Sequence, residues 1–116
     1  MTTKSGKDFI GKWRVVEAPD MVKDYLDTTP DPHIQINIRK DNEVEGSYQF
    51  ATQEGNIDGR LELDNGGYLR LEFSFEGSDE MDEVSGCGTA TLANLETLIL
   101  KMHYHMGDTY TFICKR

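Results

Sequence analysis

Basic residues are scarce in this sequence: 12 Lys and Arg stand against 21 Asp and Glu, for a formal net charge of −9. Surfaces that grip nucleic acid or anionic lipid draw their affinity from clustered cations. Here Lys and Arg are scattered and the densest charge run is acidic, which argues against both partners. Long apolar runs are also missing. Nowhere do about 18 consecutive apolar residues occur, and "MTTKSGKDFIGKW" contains no apolar stretch of the signal-peptide kind, so the expectation is a soluble, cytoplasmic protein. Cysteine is limited to Cys87 and Cys114, in neither a CxxC nor a zinc spacing, and both are expected to serve as small hydrophobes on strands. At 116 residues the chain reads as one domain, residues 1–116. A domain of that size buries roughly two thirds of its unfolded surface and needs no staples.

What is plentiful is alternation with a period of two, the signature of half-buried strands. "FIGKWRVVEA" sets Phe9, Gly11, Trp13 and Val15 on one face, and "HIQINIRK" does the same with Ile34, Ile36 and Ile38. "EVEGSYQFAT" aligns Val44, Tyr48 and Phe50, and "IDGRLEL" aligns Ile57, Leu61 and Leu63. In "YLRLEFSF" the inward set is Leu69, Leu71, Phe73 and Phe75; "VSGCGTATLA" is a strand of small residues. "TLILKMHYHM" carries Leu98, Leu100, Met102, Tyr104 and Met106 in phase, and "TYTFICKR" carries Tyr110, Phe112 and Cys114. Turn residues separate the runs at Lys40-Asp41-Asn42, Glu54-Gly55-Asn56, Asp64 to Gly67, Asn94 and Gly107-Asp108. One exception is helical: Asp20 caps a segment through Asp27 whose Met21, Val22, Tyr25 and Leu26 share a face. The pattern predicts an all-β, eight-stranded antiparallel up-and-down barrel, lipocalin-like, with one short helix between strands 1 and 2 that packs across one mouth.

"FIGKWRVVEAPDMVKDYL" resembles the opening of the calycins, the lipocalin and fatty-acid-binding-protein barrels, which begin with a G-x-W strand followed by a lid. That resemblance implies that Arg116, after the last strand, packs over Trp13. The whole chain is similar to an uncharacterised family of short bacterial proteins on Gly11, Trp13, Arg14 and Glu17; Leu26 and Asp27; Glu76, Gly77, Asp79, Glu80, Asp82, Ser85 and Gly86; and His105, Gly107, Asp108 and Arg116. Members of that family carry Trp where Met21 and Phe75 stand here. The resemblance implies a fold and no activity. Fatty-acid-binding proteins hold the ligand carboxylate with Arg-x-Tyr on the last strand; Thr109 to Ile113 contains no such pair, which argues against a fatty acid bound in that way.

Two clusters invite a chemical reading. "EGSDEMDEVSG" places Glu76, Asp79, Glu80, Asp82 and Glu83 within a short span. It is no EF-hand: counted from Asp79 the third position is Met81 and the sixth is Val84, whereas a calcium loop needs an oxygen ligand and then glycine there. The expectation is a charged hairpin connection, with Ser78 or Asp79 shaping the turn. His103 and His105 sit two apart on one strand, on the face opposite Leu100, Met102 and Tyr104, and so toward solvent. No G-x-S-x-G, nucleophile motif, phosphate loop or dinucleotide fingerprint occurs, so the motifs assign no enzyme class and no cofactor is expected.

Three functional readings remain open. In the first, the barrel binds a small apolar ligand between Trp13, Tyr25, Tyr48, Phe73, Met102, Tyr104 and Phe112, since eight strands enclose an interior that is either filled by side chains or holds one small molecule. In the second, the barrel is filled and acts as an acidic interaction or homo-oligomerising module, monomer or homodimer. In the third, the acidic 76–83 stretch with His105 and Asp108 builds a metal site or an active site.

Overall fold

A computed structural model describes residues 6–19, 31–63 and 65–116. The alternation becomes eight antiparallel strands: β1 (Gly11–Glu17), β2 (His33–Lys40), β3 (Glu43–Phe50), β4 (Gln53–Leu63), β5 (Leu69–Asp79), β6 (Asp82–Asn94), β7 (Thr97–Tyr104) and β8 (Thr109–Lys115). Each pairs with its neighbour in sequence, and β1 pairs with β8, so the sheet closes on itself as an up-and-down barrel. Closure removes the long edges that an open sheet would expose. A 3-10 turn, Gly6–Phe9, precedes β1 and inserts Phe9 into one end of the core. The helix expected over Asp20–Asp27, with Tyr25 and Met21, lies outside the described residues.

Every second residue along the strands enters one continuous hydrophobic core, from Trp13 and Ile34 through Tyr48, Phe73 and Leu100 to Phe112 and Cys114. The predicted faces hold through the middle of each strand and fail at two ends. Leu63, the last residue of β4, and Met106, in the turn two residues past the end of β7, are exposed instead of inward.

Three strands are longer than their alternation suggested. β4 starts at Gln53, so Glu54-Gly55-Asn56 is strand and the turn is Ala51-Thr52. β5 continues to Asp79 and β6 begins at Asp82, so Ser78 and Asp79 are strand residues and the turn is Glu80-Met81. At the other end β7 stops at Tyr104. Glycine explains the misreading of β4. Gly55 and Gly77 face each other across β4 and β5 beneath the Tyr48 ring. A Cβ on Gly77 would lie 2.1 Å from the Glu54 carbonyl oxygen and 2.8 Å from the Tyr48 hydroxyl. The missing side chains let two coiled strands approach and leave room for an aromatic from a third, a use of glycine common in small barrels.

Candidate functional site

The barrel has two unlike ends. At the first, the Trp13 indole is fully buried and donates through Nε1 to the Phe9 carbonyl at 2.9 Å. Arg116 lies over that ring, its guanidinium carbon 4.2 Å from the centroid, as the calycin resemblance implied. The same guanidinium donates to three carbonyls: Leu95 at 3.0 Å, Ile10 at 3.0 Å and Asp8 at 2.6 Å. One planar fork therefore ties the β6–β7 turn and the segment before β1 to the end of β8, closing this end.

The interior behind that plug is packed. Phe50 from β3 reaches across to stack on Phe112 of β8 at 4.6 Å, and the Tyr104 hydroxyl of β7 donates to Gln53 Oε1 of β4 at 2.6 Å. Between them Tyr48 meets Phe75 edge-on at 5.9 Å, and Phe75 meets Tyr104 at 5.0 Å. Strands three places apart on the ring thus touch through their side chains. Of the residues expected to wall a ligand, Trp13, Tyr48, Phe73, Met102 and Phe112 are buried in this single cluster. Tyr104 is partly exposed at the rim, and Tyr25 lies outside the described residues. One polar atom in the cluster is anomalous: the Tyr48 hydroxyl is buried with no hydrogen-bond partner among the described residues. Burial, with the Asp79 charge adding to it, pushes that phenol up to about 12.

The second end is built from hairpin tips. The Ala51-Thr52 turn is tied to the β5–β6 hairpin by the Thr52 hydroxyl, which donates to Asp79, and by the Glu80 N–H, which donates to the Thr52 carbonyl at 3.4 Å. Glu80 and Met81 both adopt positive φ, 51° and 79°, the geometry of a two-residue type I′ turn. Such turns favour Asn-Gly, which is why no turn signal marked this position. β6 pairs with β5 along its first residues but with β7 only from Gly86 onward. The hairpin therefore projects beyond its β7 neighbour, carrying Glu80, Asp82 and Glu83; among the described residues none of the three has an ion-pair partner. Basic side chains concentrate elsewhere: Arg39 faces Glu43, Glu45 and Asp58, while Lys12 and Arg14 gather on Asp31. Lys12 holds the Asp31 carboxyl below its ordinary value.

His103 points outward, as its strand phase required; His105, expected on the same strand, lies in the turn after β7 and is exposed there. His103 shares a hydrogen bond with the Thr109 hydroxyl at 2.6 Å and stands opposite the exposed Cys87. His105 borders an open outer groove with Glu76, Ser85 and Asp58. Cys87, expected to pack as a small hydrophobe, is exposed because its strand position faces solvent; Cys114 is buried, and burial pushes its thiol up to about 12. Among the described residues no three His, Cys, Asp or Glu side chains are grouped to hold a metal ion. The same residues include no helix long and apolar enough to cross a membrane. No protein-family model matches this chain, and no curated protein is similar to it.

Proposed function

We propose that this protein is an acidic interaction module: a filled barrel that works through its surface and meets a positively charged protein partner. The observation that carries the reading is the packing of side chains across the barrel, with Phe50 stacked on Phe112 and Tyr104 bonded to Gln53. A ligand lodged between these rings would have to separate them. The excess of acidic residues supplies the field that would draw a cationic surface toward the barrel and exclude an anionic one. A second reading, a small apolar ligand held near the rim, draws support from the Tyr48 hydroxyl, buried with no hydrogen-bond partner among the described residues, and from Phe75, which packs on both the Tyr48 ring and the partly exposed Tyr104.

Native mass spectrometry of protein purified from cells at low salt separates the two. The interaction reading expects the 13.2 kDa chain, alone or in protein complexes that fall apart as salt is raised. An organic mass that survives salt and chelator and leaves only on denaturation would refute it in favour of the ligand reading.

A further inference from the structure

The projecting hairpin leaves β6 with one unsatisfied side. Asp79 and Asp82 bracket a two-residue turn, so they form a hydrogen-bonded pair, and antiparallel pairs alternate from there. Glu83 opposite Ser78 is then a non-hydrogen-bonded pair, and its N–H and C=O point away from β5. Ser85 opposite Glu76 repeats the arrangement. Its carbonyl does turn outward, because it accepts the His105 N–H at 2.7 Å. Below that bond β7 occupies the edge. Above it, among the described residues, nothing pairs with the Glu83 N–H and C=O or the Ser85 N–H.

Two methionines flank this gap. Met81 directly precedes Asp82 and is 96% exposed; Met106 directly follows His105 and is 94% exposed. No other large hydrophobic side chain in the described residues is as exposed as these two. Both have positive φ, where backbone sterics hold the turn in an uncommon conformation. Methionine is soft and adaptable, which suits a surface that must fit apolar side chains of a partner. The charge around the gap is of one sign. From residue 71 to 100 there are seven acidic side chains and no Lys or Arg.

We infer that the open edge of β6 at Glu83–Ser85 receives an extended, basic segment of a partner protein by strand addition, with apolar side chains of that segment set on Met81 and Met106. The backbone groups supply register and affinity, as they do wherever a peptide extends a sheet. The acidic flanks decide the occupant. A second copy would bring Asp82 and Glu83 against their own like, so a segment rich in lysine or arginine is the complement. The gap from Met81 to Ser85 spans four residues of strand, roughly 13 Å, so the partner's two apolar residues stand about four apart. The inference rests on the interaction reading above and names its surface.

The probe is the end-capped peptide Lys-Leu-Lys-Thr-Lys-Leu-Lys, with Glu in place of each Lys as control, titrated into the ¹⁵N-labelled protein at low ionic strength. The expected result is binding of the basic peptide alone, with slowed hydrogen exchange at the Glu83 and Ser85 amides. Glu83→Pro removes an outward N–H without touching the β5 ladder and weakens binding roughly fivefold to tenfold beyond the charge control Glu83→Gln. Met81→Ser with Met106→Ser, at exposed sites, weakens it by a similar factor. Binding that ignores the proline and serine variants, or shifts that map elsewhere, overturns the strand-addition site and leaves the interaction reading standing. No binding of the basic peptide to any form overturns both.

Discussion

Truncating Arg116 should open the closed end of the barrel. The guanidinium donates to the carbonyls of Asp8, Ile10 and Leu95 and covers the Trp13 ring. Each hydrogen bond contributes about 1 kcal/mol net, less where water reaches it, and the cation–π contact adds about 0.5–1 kcal/mol. Arg116→Ala is therefore expected to cost about 3 kcal/mol. With an unfolding entropy near 2.1 cal/mol/K per residue, a chain of 116 residues loses about 4 °C of Tm for each kcal/mol, so the expected fall is about 12 °C. Arg116→Lys keeps the charge but presents one ammonium where three carbonyls converge, and should fall between. The assay is thermal unfolding followed by the fluorescence of Trp13, the sole tryptophan, whose native emission should also shift to the red in Arg116→Ala. Arg14→Ala is the control, because that side chain is 70% exposed and 3.7 Å from Asp31; it should change stability by less than about 0.5 kcal/mol. Equal effects of the Arg116 and Arg14 changes would refute the clamp.

Four further outcomes follow from the geometry. Tyr48→Phe removes a buried hydroxyl that has no partner among the described residues, and should cost less than about 1 kcal/mol or stabilise, read as a denaturant midpoint. The fold holds Tyr48 and Cys114 neutral, each pushed up to about 12 from ordinary values of 10.0 and 9.0. The unfolded chain releases those protons first, so their contribution is intact below pH 9 and is lost as pH climbs toward 12; midpoints measured across that range should fall less steeply in Tyr48→Phe. In native protein at pH 8 a thiol reagent should label Cys87 and spare Cys114, with both labelled after denaturation. Met81→Gly relieves a non-glycine residue at φ 79° and should raise stability by about 1 kcal/mol, measured by urea unfolding.

The strand count, the order of the elements and most of the core were legible because a strand's side chains alternate strictly. Leu69, Leu71, Phe73 and Phe75 could only share one face, and eight such runs, joined after the first by short turns, leave few arrangements besides a closed meander. The Arg116 clamp was expected only from the resemblance that Gly11, Trp13 and Arg116 carry, and the contact is there at 4.2 Å. The hairpin ends were not. Gly55 and Asn56 carry a local turn preference that lost to pairing on both sides, while Glu80-Met81 turns although neither residue favours positive φ.

The acidic stretch shows the division most plainly. Its charge, its lack of basic neighbours in sequence and its failure as a calcium loop are properties of composition and spacing, readable before any folding. That four of its carboxylates lie along two paired strands with Glu80 at the turn, that the pair outruns β7, and that Glu83 turns its backbone outward depend on register. Register is set by which side chains can be buried together across the whole barrel. The same holds for the interior: alternation dictated that Phe50, Tyr48 and Phe112 face inward, but only closure of the sheet decided that they would meet across the barrel and fill it.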